Sequence, residues 1–142
     1  MYSELPPKDV YRALSEKENS VLIDCRTRSE WVYVGIPDIS QTGRELALIE
    51  WVDSTGQPNP DFLAQCREKI SADSSVFVIC RSGARSAAAC MALIENGYAQ
   101  VCKLQRGLKA IWMVIIIAAR KMDGNFINCP GSNVKAGATA LR

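Results

Sequence analysis

The chain has 142 residues, enough for one domain with a hydrophobic core. Apolar residues make up 48% and charged residues 23%, the balance of an ordinary soluble domain, and the net charge of +2 is too small to indicate a nucleic-acid partner. The N-terminal segment has no apolar signal core, and the longest apolar run, IWMVIIIAA at 111–119, is too short for a membrane span of about 20 residues. We therefore expect a cytoplasmic protein with no nucleic-acid or membrane partner.

The cysteines are numerous, and the chain has no histidine. No two cysteines form a C-x-x-C pair, so we expect neither a zinc site nor another cofactor. In the cytoplasm the thiols should be reduced, and most of them should act as small buried apolar side chains. The six are Cys25, Cys66, Cys80, Cys90, Cys102 and Cys129.

Hydrophobic periodicity predicts helices that alternate with strands along the chain. The order begins with the helix PKDVYRALSEKE, the strand SVLIDC, a short helix or turn TRSEWVYVG and the strand RELALIEW. After the turn STGQPNP come the helix DFLAQCREKI, with Asn59 or Asp61 near its N-cap, and the buried strand SSVFVIC. The helix ARSAAACMALIENG, which Gly97 ends, and the strand QVCKL follow. The pattern predicts a three-layer α/β fold, with a largely parallel sheet flanked by helices.

The segment CRSGARS at 80–86 places a thiol where such folds bind ligands, at the carboxyl end of a strand. The next helix begins inside this loop, so its free amides and its dipole favour an anion, and a central glycine lets successive N–H groups point inward. The same field should lower the pKa of the cysteine, and two arginines add positive charge. A cysteine at a strand end is more often a packing residue, but this combination predicts an activated nucleophile beside an oxyanion cradle. The predicted catalytic residue is Cys80, and the predicted substrate-binding residues are Arg81, Ser82, Gly83, Ala84 and Arg85.

CRSGARS resembles the active-site loop of the rhodanese domain. DCRTRSEW at 24–31 resembles the first signature of that family, Asp-x-Arg followed by Glu and an aromatic residue. VGIPD at 34–38 and ENGYAQVCKLQRG at 95–107 are similar to further family segments, so the resemblance covers residues 5–107. It predicts a rhodanese-like domain over 1–107 and an atypical tail over 108–142.

The resemblance implies sulfur transfer in two steps. The Cys80 thiolate would take the outer sulfur of a small anionic donor such as thiosulfate, and the loop amides would hold the resulting persulfide. A thiol, cyanide or a protein cysteine would then remove the sulfur. The arginines of the loop resemble those of thiosulfate users in the family, whereas mercaptopyruvate users have a neutral loop.

Two other functions stay open at this point. The protein could be a persulfide carrier or regulatory module that acts on a protein partner, with little turnover of small molecules. It could also be a phosphatase of the Cys-x5-Arg kind, which needs a loop wide enough for phosphate. Cys80 to Arg85 is Cys-x4-Arg, one residue shorter, and a tighter ring suits the smaller sulfane sulfur.

Asp24, Arg26 and Glu30 are predicted to support the site structurally. Arg26 and Glu30 are four residues apart and are expected to pair, which would fix the loop after the strand. Asp24 is expected to accept hydrogen bonds from loop amides. Cys90, in the helix after the loop, is expected to be a packing residue, although a resolving-thiol role is also open.

After Gly107 the sequence carries no further motif of the rhodanese family, and a divergent helix with a disordered end is the plain interpretation. We favour a one-base frameshift at residue 108. In one permitted choice of codons, restoring one T after the Gly107 codon gives FEGDMDGHHHRGKKDGWKFHKLPWKQC. That text is similar to a subgroup of rhodanese-like proteins with G-F-E-G-D, His-Arg-Gly, Gly-Trp-Lys and Leu-Pro-Trp in this order. Sequencing the gene tests the hypothesis, because codons that cannot give this frame would refute it.

Overall fold

The computed structural model describes residues 2–81, 83–105, 118–120 and 126–128. Within these ranges no helix has the length and apolar character that crossing a membrane requires. The helices are α1 (Pro7–Glu16), α2 (Arg28–Tyr33), α3 (Phe62–Lys69) and α4 (Ala84–Glu95), with a short 3-10 turn at Ser40–Thr42. The strands are β1 (Ser3–Leu5), β2 (Ser20–Asp24), β3 (Ile36–Pro37), β4 (Glu45–Leu48), β5 (Ser75–Ile79), β6 (Gln100–Leu104), β7 (Ala118–Arg120) and β8 (Phe126–Asn128).

Five strands form a central sheet in the order β1-β6-β5-β2-β4, and every neighbouring pair is parallel. Every residue of β2 and of β5 is buried, because both strands lie inside the sheet and are covered on both faces. Their register places Asp24 opposite Ile79, so the chain leaves both strands at the same edge of the sheet. These features confirm the predicted α/β fold with a largely parallel sheet between helices.

Side chains alternate between the two faces of the sheet, which produces two separate cores. On one face α1 packs through Val10 and Leu14, which are buried together with Leu22 and Phe77. On the other face α3 and α4 pack against the remaining strand residues. The core on that face includes Val21, Ile23, Cys25, Cys66, Val76, Val78, Cys80, Ala89, Cys90 and Leu93.

The predicted helices and strands up to residue 104 are all present, but the prediction missed two short strands. β1 has two exposed residues and one partly buried residue, so no apolar pattern marks it, and it is held by backbone pairing with β6. β3 has only two residues and joins β7 and β8 in a small antiparallel sheet. Apart from β7 and β8, the predictions for the tail 108–142 lie outside the described residues.

Leu22→Ala should lower the free energy of unfolding by about 2 to 5 kcal/mol, because it leaves a cavity under a fully buried central strand. Urea unfolding measures the change. The control is Met91→Ala, whose side chain is 40% exposed and which should change stability by less than about 1 kcal/mol. Equal, small effects of both substitutions would contradict the position given to β2.

Candidate active site

Cys80 directly follows β5 and precedes the first turn of α4, and it has no exposed surface. Its sulfur accepts hydrogen bonds from two backbone N–H groups, that of Gly83 at 3.0 Å and that of Ser86 at 3.3 Å. The Ser86 hydroxyl oxygen lies 3.4 Å from the same sulfur. The amides at the start of the helix therefore surround the sulfur atom, which is the arrangement that stabilises a negative charge.

Gly83 is the residue that turns the loop into the helix. Its φ of 108° lies in the left-handed region, which side chains other than glycine rarely adopt. A Cβ at this position would also come within 3.1 Å of the Lys103 Nζ atom. Only glycine thus combines this backbone turn with the close approach of Lys103, and the turn directs the Gly83 N–H at Cys80.

Cys25 lies beside Cys80 and was missed as a site residue. It directly follows β2, and its N–H donates to the Ile79 carbonyl at 3.0 Å, which extends the pairing of the two strands. Its thiol belongs to the same buried core as the Cys80 thiol, and a hydrogen bond between the two groups is the largest influence on the pKa of each. The available signal was that Cys25 and Cys80 each stand directly after a segment that predicts a buried strand, SVLID and SVFVI.

The pKa of Cys80 is lowered to about 5. The hydrogen bond from Cys25 is the largest cause; burial opposes it, and the Ser86 hydroxyl and the N–H groups of Ser86 and Gly83 lower the pKa further. The same contact raises the pKa of Cys25 well above its ordinary value, because this thiol must keep the proton that it donates. At neutral pH the site therefore holds one thiolate and one thiol. The pKa of Cys80 is lowered, as predicted. The lowering comes from hydrogen-bond donors around the sulfur, whereas the prediction relied in part on the charge of the arginines.

The charged residues pair differently from the prediction. Glu30 accepts from Arg85, with Nη1 to Oε1 at 2.7 Å, and Arg26 pairs with Asp24, with Nη2 to Oδ2 at 2.7 Å. The predicted pair of Arg26 with Glu30 is wrong, because α2 begins only at Arg28 and the spacing of four residues brings side chains together only inside a helix.

Asp24 and Glu30 both hold loops around the site. Asp24 accepts the backbone N–H of Arg26 at 3.1 Å, as expected of a carboxylate that bonds loop amides. Glu30 forms a capping box with Thr27 at the start of α2 and also binds Arg85 on α4. Glu30 therefore joins the loop after β2 to the helix after Cys80.

The remaining predicted site residues differ in their exposure to solvent. Arg81 and Ala84 are exposed, whereas Gly83 is buried and Arg85 is half-buried. Ser82 lies outside the described residues. Cys90 is fully buried in the core beneath α4, and burial is the main cause that raises its pKa to about 12.

A family model described as the rhodanese-like domain matches residues 7–113. The chain belongs to this family. A protein named sulfurtransferase from Allochromatium vinosum is 31% identical over 110 residues, which cover 78% of this chain and 88% of that protein. Family membership confirms the resemblance carried by CRSGARS and DCRTRSEW.

Two solved structures are similar to this rhodanese-like domain. The crystal structure of Rv0390 from M. tuberculosis has a TM-score of 0.72 and 31% sequence identity, and the match covers 89% of each chain. The solution structure of the polysulfide-sulfur transferase homodimer from Wolinella succinogenes has a TM-score of 0.60 and 24% identity, covering 79% of this chain and 73% of that chain. The second likeness shows the fold alone. The family and its sulfurtransferase member support sulfur transfer in general.

Cys25→Ala should raise the pKa of Cys80 in this rhodanese-like domain, because it removes the donor with the largest effect on the thiolate. We expect a rise of about one unit, equivalent to about 1.4 kcal/mol, the size of a hydrogen bond to a charged group. The ultraviolet absorbance of the thiolate measures it during a titration from about pH 3 to about pH 8. The control is Cys80→Ser, which should show no titration in this pH range. Cys66 and Cys90 do not contribute there, because burial raises the pKa of both thiols to about 12. An unchanged midpoint in Cys25→Ala would contradict the hydrogen bond.

Glu30→Gln should lower stability at neutral pH. Burial alone would raise the pKa of Glu30, but the hydrogen bonds from Arg85 and Thr27 lower it to about 2 from 4.5. A lowered pKa means that the carboxylate stabilises the fold above about pH 4.5 and that this contribution is lost as the pH falls toward 2. We expect a loss of about 1 to 2 kcal/mol at pH 7 in the variant, because the ion pair is partly exposed.

Urea unfolding across this pH range measures the effect of Glu30→Gln, and the exposed Glu68 provides a matched control. Glu68→Gln should leave the acid dependence of stability as in the unmodified protein. A Glu30→Gln variant with the same acid dependence as the unmodified protein would contradict the role of the ion pair.

Proposed function

We propose that the protein is a sulfurtransferase that moves sulfane sulfur from a donor such as thiosulfate to a thiophilic acceptor through a persulfide on Cys80. The observation that carries the proposal is the position of the Cys80 sulfur, at the carboxyl edge of the sheet and within hydrogen-bond distance of the N–H groups of Gly83 and Ser86. These donors and the Cys25 thiol lower the pKa of Cys80 to about 5. Such a thiolate is a nucleophile at neutral pH. Membership of the rhodanese-like family and the relative named sulfurtransferase support the same chemistry.

In the first step the Cys80 thiolate attacks the outer sulfur of thiosulfate. A sulfur–sulfur bond forms on Cys80, the sulfur–sulfur bond of the donor breaks, and sulfite leaves with the electron pair. The product is an anionic persulfide. The N–H groups of Gly83 and Ser86 can stabilise its negative charge as they stabilise the thiolate, and no protein group has to gain or lose a proton. Donors fixed by the backbone need no reorganisation at this moment, which favours the step.

In the second step an acceptor attacks the outer sulfur of the persulfide, and the Cys80 thiolate leaves with the bonding electrons. A thiol of low pKa is a good leaving group in exchange reactions at sulfur. The donors that make Cys80 a thiolate therefore assist both steps, by stabilising the nucleophile first and the leaving group later. Cyanide, a small thiol or a protein cysteine can serve as acceptor.

In this proposal Arg81 and Arg85 have different roles in binding the sulfur donor. Arg85 is held by Glu30, so its charge is largely balanced, and it fixes the start of α4. Arg81 is exposed beside the nucleophile and can meet the anionic end of the donor. The residues that we assign to donor binding are those predicted from the sequence, Arg81, Ser82, Gly83, Ala84 and Arg85.

The full burial of Cys80 favours a second candidate, a persulfide carrier or regulatory module that serves one protein partner. A buried persulfide would exchange slowly with small molecules in solution. A partner that binds at the loop could instead deliver or remove sulfur directly. The two candidates share the persulfide and differ in the rate of small-molecule turnover.

Incubation with thiosulfate should add one sulfur atom to the protein, because the Cys80 thiolate cleaves the donor. Intact mass measurement detects the addition, and cyanide should remove it as thiocyanate. Cys80→Ser should take up no sulfur, whereas Cys90→Ala, which removes a buried thiol on the next helix, should load normally.

Fast thiocyanate production would support the enzyme, and loading with slow turnover would support the carrier. A folded protein that takes up no sulfur from thiosulfate, and none from an inorganic polysulfide, would contradict both candidates.

A further inference from the structure

Cys25 and Cys80 stand side by side where two central strands end. Asp24 faces Ile79 in the register of β2 and β5, and the bond from the Cys25 N–H to the Ile79 carbonyl carries the pairing one residue further. Neighbouring strands lie about 4.8 Å apart, and the Cα atoms of a disulfide are usually about 4.4 to 6.8 Å apart. The backbone therefore spaces the two residues for a disulfide without movement of either strand.

The side chains of both cysteines also point to the same side of the sheet. Ile23 and Val78, two residues earlier on each strand, lie in the core under α3 and α4, and Cys25 and Cys80 belong to that same core. Both are fully buried, and the Cys25 thiol donates a hydrogen bond to the Cys80 sulfur. The two thiols are therefore neighbours in one buried cluster, and Cys25 is close enough to lower the pKa of Cys80.

We propose that Cys25 is the resolving thiol of Cys80, so that oxidation of the site by a peroxide ends in a Cys25–Cys80 disulfide. In the first step the Cys80 thiolate takes one oxygen from hydrogen peroxide and becomes a sulfenic acid, while hydroxide leaves. In the second step the Cys25 sulfur attacks the Cys80 sulfur and the sulfur–oxygen bond breaks. Water leaves with the proton of Cys25, so the peroxide is the two-electron oxidant of the pair. The inference goes beyond sulfur transfer and requires no sulfur donor.

The charge on Cys80 explains why Cys25 would not interfere with sulfur transfer. The pKa of Cys25 is raised by the hydrogen bond to Cys80, by burial and by the negative charge of Cys80, so Cys25 stays protonated beside a thiolate. An anionic persulfide maintains this condition. A sulfenic acid is neutral, and its formation removes the charge that keeps Cys25 protonated. Oxidation of Cys80 therefore removes two of the causes that raise the pKa of Cys25, the hydrogen bond and the charge, and makes the Cys25 sulfur more nucleophilic than it is beside a thiolate.

The disulfide would protect the nucleophile from permanent damage. A sulfenic acid that meets more peroxide becomes a sulfinic acid, which thiols do not reduce, whereas a disulfide returns to two thiols on reduction. A low-pKa thiolate such as Cys80 is the form that peroxide attacks. The neighbouring thiol thus makes the oxidation reversible.

Tryptic mapping under non-reducing conditions tests the proposal, because the cleavage sites separate the thiols. Cys25 lies in the peptide 18–26, Cys80 in the peptide 70–81, and Cys90 shares the peptide 86–103 with Cys102. After the reduced protein is treated with hydrogen peroxide and free thiols are blocked, we expect peptide 18–26 joined to peptide 70–81. Reduction with dithiothreitol should remove the link and restore loading with thiosulfate.

The variants distinguish a resolving thiol from a structural neighbour. Cys25→Ala should lose the link and accumulate sulfinic acid on Cys80, and Cys25→Ser, which keeps a hydrogen-bond donor of similar size, should do the same. Cys90→Ala should form the link as the unmodified protein does. A link from peptide 70–81 to peptide 86–103, or sulfinic acid on Cys80 beside a free Cys25 in the unmodified protein, would overturn the proposal. Neither result depends on sulfur transfer.

Discussion

The parallel pairing of β2 with β5 is the constraint on which the site depends. It brings together two segments that are far apart in sequence, so that Asp24, Cys25 and Cys80 meet at one edge of the sheet. The apolar residues of both strands are buried, and their burial supplies free energy that offsets the placement of charged groups at this edge. A slip of one residue would turn the two cysteines to opposite faces and would separate their sulfur atoms.

The thiolate is stabilised by hydrogen bonds from neutral groups more than by neighbouring cations. The charge of Arg26 is balanced by Asp24, and that of Arg85 is balanced by Glu30, so these pairs contribute little net charge to the site. The Cys25 thiol and the amides at the start of α4 provide the lowering of the Cys80 pKa. Hydrogen bonds from these neutral donors can stabilise the negative charge both on the Cys80 thiolate and on the outer sulfur of a persulfide. The same donors therefore serve both forms of the group.

Features encoded by local sequence patterns were predicted correctly, whereas contacts between segments that are distant in sequence were not. The apolar runs of β2 and β5 and the loop CRSGARS are local, and they were sufficient for the fold class and for the position of Cys80. The contact of Glu30 with Arg85 joins two helices, so helical spacing led to the wrong partner. β1 was missed because backbone pairing, which no side-chain pattern records, holds it in place. Cys25 resembled a packing residue because its position beside Cys80 follows from the register of two strands that are far apart in sequence.

A single contact links the reactivity of Cys80 to its protection. The hydrogen bond from Cys25 lowers the Cys80 pKa, and the resulting thiolate reacts with sulfur donors and with peroxides alike. Activation therefore carries a risk of oxidation, and the group that activates is also the group placed to convert the oxidised sulfur to a disulfide, which a reductant can return to two thiols. Serine at position 25 could replace the donor and alanine could replace the apolar contact, but only cysteine provides the hydrogen bond and the second sulfur. The residue at this position thus sets both how reactive the site is and how it survives an oxidant.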